Sequence, residues 1–306
     1  MSLYSFFKGK GSSGFGYDST AAQVSEGLDL SGKTLLLTGC NSGLGLETLR
    51  VLSSRGARVI AAARTEDKAR AACQGLGGEP LPVACELSDP GSVRACVEAV
   101  KRDGARLDAV ICNAGIMALP RLEQACGYEL QFFTNHIGHF ILVTGLVDQL
   151  AEQGRVVMLS SSAHRRAPRE GIQFDNLSGE RSYNGWTAYG QSKLANLLFA
   201  KELARRFGDS KRTANAVHPG VIATNLGRHM PGVARAGFSL IGPLFLKSAA
   251  QGAATECYVA AHPGVVGVSG EYFADCNVAT PTRQARDPAL AERLWRESER
   301  IASEVG

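Results

Sequence analysis

From Lys33 onward, apolar and polar positions fall into short alternating blocks. Leu35-Leu36-Leu37 is a continuous apolar run of strand length, stopped by Thr38-Gly39. Leu44, Leu46, Leu49 and Leu52 then recur with helical spacing, while Arg50 and Arg55 take the polar side. Val59-Ile60-Ala61-Ala62-Ala63 predicts the next buried strand. The unit repeats as a helix near 66–75, a strand near 81–85, a helix over 90–103 and a strand over 107–112. Helices near 121–150, 185–207 and 247–261 alternate with strands near 155–160, 213–218 and 269–273. Apolar strands between amphipathic helices predict a parallel sheet covered on both faces. The fold class is therefore α/β, a doubly wound parallel sheet of Rossmann type in a single domain, because no linker divides 33–280. Residues 1–32, rich in Gly and Ser and without an apolar period, read as an N-terminal arm, and 281–306 as a helical tail.

Composition narrows the function. The 306 residues hold 33 Lys and Arg against 29 Asp and Glu, a net charge of +4 with no block of five like charges. The densest basic cluster, Arg165-Arg166 with Arg169, is too short for a nucleic-acid stripe, so no nucleic-acid partner is expected. The eight cysteines lack C-x-x-C spacing and ligand companions, so they read as reduced, mostly buried thiols and no metal is expected. His136, His139, His164 and His218 read as packing or loop residues, with His164 also suited to a cleft wall. The longest apolar stretches, Phe140 to Val147 and Phe238 to Leu246, fall short of the ~20 residues that span a bilayer. A cytoplasmic protein without a transmembrane segment is expected.

Glycine supplies 35 positions, about 11% against a usual ~7%, so tight backbone approaches are needed somewhere. The first strand ends in Thr38-Gly39-Cys40-Asn41-Ser42-Gly43-Leu44-Gly45 and a helix opens at once. Glycines let a backbone close on a pyrophosphate, and the helix N-terminus offers free N–H groups and a positive dipole end. At the end of the second strand, an acid would hold a ribose 2′-hydroxyl and a base a 2′-phosphate. This chain has Ala63 and then Arg64, which favours NADP(H) over NAD(H).

Tyr189-Gly190-Gln191-Ser192-Lys193 places a phenol and an ammonium one helical turn apart. A carbonyl that receives a hydride also needs a proton donor, and a free phenol with pKa near 10 is a poor reversible one at neutral pH. A cation about 4 Å away, at an effective dielectric of ~20, would favour phenolate by roughly 4 kcal/mol, about three pKa units before desolvation. Upstream, Val156-Val157-Met158-Leu159 ends in Ser160-Ser161-Ser162, which places hydroxyls at the strand's carboxyl edge.

Taken together, Thr38–Gly45, Cys112-Asn113-Ala114-Gly115, Asn135, Ser160–Ser162, Tyr189-x-x-x-Lys193 and His218-Pro219-Gly220 resemble the short-chain dehydrogenase/reductase family over about residues 33–275. Asn135 through Phe140, Phe174 through Leu177, Tyr189 through Leu203 and Tyr272 through Cys276 are closer still to its retinol-dehydrogenase-like branch. The resemblance implies Tyr189 as catalytic acid/base and Lys193 as the residue that lowers its pKa and holds the nicotinamide ribose. It implies Ser161, or Ser160 if the alignment slips by one, as the substrate-orienting hydroxyl, and Asn135 as support for a proton-relay water. Gly39, Asn41, Ser42, Gly43, Leu44 and Gly45 would cradle the cofactor's pyrophosphate. Asn113, Ala114 and Gly115 would line its adenosine side, and Pro219, Gly220 and Thr224 its nicotinamide side. Where the family commonly has Asp after the third strand, this chain has Glu86 and Leu87; the longer acid or the Leu87 N–H would meet the adenine edge.

The family also places a substrate lid over 224–247, a stretch with Phe238, Leu240, Ile241, Leu244, Phe245 and Leu246; an ordinary core-facing loop or a dimer contact is the alternative. Tyr183 and Trp186 either line the cleft or simply pack. The resemblance thus implies a reaction between a hydrophobic alcohol and its aldehyde or ketone, in a homodimer or homotetramer. An NADP(H)-sensing protein without turnover and a membrane-surface retinoid dehydrogenase are the competing expectations.

Overall fold

The computed structural model describes residues 9–222 and 246–306. Seven parallel strands, β1 (Thr34–Thr38), β2 (Arg58–Ala63), β3 (Leu81–Ala84), β4 (Leu107–Cys112), β5 (Leu150–Leu159), β6 (Thr213–His218) and β7 (Tyr272–Ala274), form one sheet with an antiparallel edge strand, β8 (Asn277–Val278). The spatial order is β8-β7-β6-β5-β4-β1-β2-β3. The chain therefore reverses its direction of growth between β1 and β4, the crevice where an open α/β sheet takes its ligand.

Local chemistry explains most boundaries. Helix α1 (Gly43–Ser54) follows β1 and α2 (Glu66–Cys73) follows β2. Helix α3 (Pro90–Asp103) starts with Asp89 accepting from Gly91 N and Pro90 in the first turn, and stops at left-handed Gly104. Helix α5 (Gly185–Phe207) is capped by Asn184, whose side chain accepts from Trp186 N and Thr187 N. The sequence reading of one helix over 121–150 is corrected. Cys126 and Gly127, both at positive φ, turn a hairpin between Gln124–Ala125 and Tyr128–Glu129. The helix α4 starts only at Leu130 and runs through a π segment (Phe133–Ile137) into Gly138–Leu146. The expected helix near 247–261 is also divided, into Ala249–Gly252 and α6 (Ala254–Ala261).

One apolar layer joins α3, α4 and α5 to a sheet face, and the tail helix α7 (Pro288–Glu304) closes it. Trp295 of α7 stacks on Phe199 of α5 at 5.5 Å between centroids, and Ser298 Oγ bonds His136 Nε2 at 2.8 Å. The other layer holds α1, α2, α6 and, from the arm, Ala21, Val24 and Leu30. Leu130–Gln149 is long and apolar enough to cross a bilayer, but 78% of it is buried inside the domain, as in a core helix.

Of the expected lid, only Leu246 and Lys247 are described; Thr224 lies outside the described residues. Lys247 is 1% exposed, pairs with Asp275 at 2.7 Å and lies over the Tyr17 ring at 4.7 Å. It also fills the space beside Gly220, where a Cβ would lie 2.6 Å from Lys247 Cδ.

Candidate active site

The crevice is pinned by Asn113, whose Nδ2 donates to Thr38 O at 2.8 Å across the β1–β4 gap. Above it the glycine turn leaves no room for a side chain at Gly39 or Gly45. A Cβ on Gly45 would stand 2.1 Å from Gly39 O and 2.5 Å from Asn113 Nδ2. Gly39 and Gly43 are at positive φ. Ser42 is the N-cap of α1, yet its hydroxyl makes no capping bond, so the helix's first N–H groups point at the crevice without a side-chain acceptor. Asn41 and Ser42 are exposed, Leu44 is buried beneath them, and Ala114 N donates to Thr38 Oγ1 at 3.0 Å.

Arg64 follows β2 exposed and without an ion pair among the described residues, while Glu66 is held by Arg70. Glu86 turns back on its own loop. Its Oε1 accepts from Ser88 Oγ at 2.9 Å and Ser88 N at 3.2 Å, so this oxygen is already engaged locally. Leu87 is buried, its carbonyl set against Gly138, where a Cβ would come within 2.3 Å.

Three elements meet around Gly115. Asn135, on the π segment of α4, accepts from Ile116 N at 2.8 Å and donates to Ile116 O and Ser192 Oγ, both at 2.9 Å. A Cβ on Gly115 would lie 2.9 Å from Asn135 Oδ1 and 3.3 Å from Lys193 Nζ. Lys193 donates to Leu159 O at 2.9 Å and lies 5.7 Å from the Tyr189 ring centroid. The two adjacent serines separate cleanly. Ser160 is 1% exposed and its Oγ donates to Lys193 O at 2.7 Å. Ser161 is half-buried and hydrogen-bonds Tyr189, which makes it the hydroxyl beside the phenol.

Electrostatics differ from the sequence expectation. Burial pushes Tyr189 up to about 12, opposed by the Ser161 hydrogen bond. Burial likewise brings Lys193 down to about 8. The ammonium is turned to Leu159 O, and solvent removal is the largest cause of both shifts.

Pro219-Gly220 is set by His218, whose Nδ1 accepts from Ser162 N at 3.2 Å and Gly220 N at 3.4 Å. Tyr183 packs, its hydroxyl donating to Leu119 O at 2.9 Å, whereas Trp186 is 40% exposed beside Tyr189.

The sequence reading missed a link between the two halves of the site. His139 is fully buried, with Nδ1 2.9 Å from Asn135 O and Nε2 2.9 Å from Thr38 Oγ1. A carbonyl only accepts, so Nδ1 carries the proton and Nε2 accepts from the Thr38 hydroxyl. Burial lowers its pKa to about 4, which keeps the ring neutral. An i, i+4 relation between Asn135 and His139 was the available signal.

Comparison with known proteins agrees with this geometry. The sequence pattern described as short chain dehydrogenase matches residues 33–231. The chain is 42% identical to short-chain dehydrogenase TIC 32 B, chloroplastic, of Brassica napus, over 96% of this chain and 97% of that protein. It is 39% identical to retinol dehydrogenase 14 of Mus musculus, over 88% and 86% respectively. Among solved structures, an uncharacterised protein from Mycobacterium paratuberculosis superposes with a TM-score of 0.74 at 32% identity, over 92% of this chain and 97% of that one. A short chain dehydrogenase from Burkholderia cenocepacia in complex with NADP gives 0.64 at 26% identity, over 80% and 96%. With its glycine turn at the β1–β4 switch and its phenol, ammonium and serine at the sheet's carboxyl edge, the chain belongs to the short-chain dehydrogenase/reductase family, in the retinol-dehydrogenase-like branch.

Proposed function

We propose that the chain is an NADP(H)-dependent oxidoreductase that interconverts an alcohol and its aldehyde or ketone on a hydrophobic substrate. One observation carries this reading. Ser161 after β5, Tyr189 and Lys193 on α5, and Asn135 on α4 converge at the same sheet edge as the glycine turn.

The residues present suit a dinucleotide, since the spaces at Gly39 and Gly45 admit no side chain. The pyrophosphate would rest on Gly39 through Gly45, including Asn41, Ser42 and Leu44, with Asn113, Ala114 and Gly115 on the adenosine side. Leu87 N–H suits the adenine edge better than Glu86, whose Oε1 already serves Ser88. Pro219, Gly220 and Thr224 would flank the nicotinamide, and Arg64 would take the 2′-phosphate. The nicotinamide, when bound, supplies or takes up the hydride.

The chain's own residues manage the proton. In reduction Tyr189, held as a neutral phenol by burial, gives its proton to the substrate oxygen while Ser161 holds that oxygen in place. Lys193, still largely charged at neutral pH, then stabilises the phenolate. Asn135 keeps the Gly115-Ile116 backbone against this pair. A homodimer through the α4 and α5 faces would have to displace α7, so these faces are poor interfaces. All eight thiols are free, as suits a reducing compartment such as the cytoplasm.

The test is NADPH oxidation with a panel of apolar aldehydes and ketones, comparing wild type with Tyr189→Phe. Loss of general acid catalysis is expected to lower kcat about 100- to 10,000-fold. Equal turnover by both proteins would refute the assignment.

A further inference from the structure

Beyond Ser161 the chain enters a short 3-10 helix, Ser162–Arg166, that lies directly on α5. A Cβ on Gly190 would stand 2.7 Å from Ala163 O, 2.8 Å from Ala167 N and 2.8 Å from the Arg166 carbonyl carbon. Glycine beside Tyr189 is therefore what lets this segment approach. The approach sets the exposed Arg166 guanidinium over the Trp186 ring, 5.0 Å from its centroid. Trp186 in turn meets the Tyr189 ring edge-on, with centroids 6.4 Å apart. Guanidinium, indole and phenol ring thus stand in one row of contacts that leads from the surface to Tyr189.

Arg166 sits in a wider basic field. Thr282 N donates to His164 Nε2, Arg165 Nη2 to Thr280 O and Gln284 Nε2 to Arg169 O, each at 3.3 Å. These bonds clamp the 162–169 segment to 280–286 and bring exposed Arg283 and Arg286 to the same face. Among the described residues, none of Arg165, Arg166, Arg169, Arg283 and Arg286 forms an ion pair. Of the neighbouring acids, Glu170 accepts from Gln173 Nε2 at 2.9 Å and Asp287 caps α7; both keep their charge, but these two carboxylates are outnumbered by the five guanidiniums. A surface with such an excess of positive charge concentrates anions near it.

We propose that the substrate is amphipathic, an apolar carbonyl or alcohol whose far end carries a carboxylate or a similar anionic group bound by Arg166. This inference rests on the reading of Tyr189 and Ser161 as the reacting end of the site. The planar guanidinium takes a carboxylate through two parallel hydrogen bonds, and stacking on Trp186 orders it beforehand. Trp186 covers the apolar chain between the two ends, and the other four arginines steer the anion toward the mouth.

The test compares 9-oxononanoate with nonanal, aldehydes of equal chain length with and without the carboxylate, as substrates for NADPH-loaded wild type and Arg166→Gln. Wild type is expected to prefer the oxoacid by at least about tenfold in kcat/KM, mainly through KM. The preference should shrink as salt screens the field, and the ratio should fall about tenfold in Arg166→Gln. Equal kcat/KM for the two aldehydes in wild type overturns the inference and leaves the oxidoreductase reading standing. A preference that survives Arg166→Gln overturns the assignment to Arg166. Turnover of neither aldehyde counts against the reading of the reacting site, and binding then decides the inference. Quenching of Trp fluorescence by nonanedioate, absent in Trp186→Phe and Arg166→Gln, upholds the anion site, whereas no quenching in wild type overturns it. Sedimentation with phosphatidylserine-containing vesicles, together with no preference between the aldehydes, would reassign the patch to a lipid surface.

Discussion

Replacing Glu256 by glutamine is expected to stabilise the protein at alkaline pH and leave it unchanged in acid. Glu256 lies on α6, 1% exposed, and faces α1, where Thr48 Oγ1 donates to its Oε1. Its Oε2 has no hydrogen-bond partner, and no cation among the described residues pairs with it. Burial raises its pKa from 4.5 to about 7, with the Thr48 hydrogen bond opposing. Between those values the folded protein keeps a proton that the unfolded chain has lost, so stability falls as pH rises through that window. Above it the penalty is complete. A shift from 4.5 to about 7, at 1.36 kcal/mol per unit, amounts to about 3 kcal/mol. Glutamine keeps the shape and an acceptor for Thr48 while removing the charge. Urea unfolding of both proteins should show a gain of about 3 kcal/mol at pH 8, fading to nothing near pH 4.5. No gain at pH 8, or the same gain at both values, would refute the reasoning, because the ionised carboxylate would then have found a partner or water.

Two further outcomes follow from the site. Arg64→Ala should weaken NADPH binding about 10- to 100-fold, as expected for losing a charged hydrogen bond, and leave NADH binding unchanged. Isothermal titration with each nucleotide reads the difference, and an unaltered NADPH preference would remove Arg64 from the 2′-phosphate. His139→Leu removes one hydrogen bond each from Thr38 Oγ1, which keeps the Ala114 N bond, and from Asn135 O, at about 0.5–1.5 kcal/mol for each lost bond, and should lower Tm and kcat together. His139→Gln, which can serve both, should recover much of the loss in thermal melts and single-turnover kinetics; no recovery would mean that the imidazole acts by bulk alone.

The fold was legible where local chemistry and hydrophobic period agree. Asp89-Pro90 and Gly104 bound α3 with signals printed in the sequence, and its limits match the expectation residue for residue. The 121–150 stretch failed for a definite reason. Its apolar content is helical from Leu130 on, but Cys126, a residue with no preference for positive φ, adopts it beside Gly127 and makes a hairpin. The lesson extends to the arginines. Arg165-Arg166-Arg169 read only as too short for a nucleic-acid stripe, and that Arg283 and Arg286 belong with them follows only from contacts between distant segments.

At the site, position was legible and electrostatics were not. The i, i+4 spacing of Tyr189 and Lys193 follows from the helix and could be read directly. The pKa of the pair is a difference between Coulomb attraction and lost solvation, and the second quantity depends on what covers both groups. Here Lys193 is buried and Tyr189 half-buried, so each loses stability in its charged form, and the phenol rises while the ammonium falls. The same burial that spoils the simple argument for a depressed phenol supports a different one. Lost solvation holds the phenol neutral and still leaves Lys193, near 8, mostly charged at neutral pH, so the pair rests as phenol and ammonium. The packing around the pair, rather than its motif, therefore decides the charge states from which it starts.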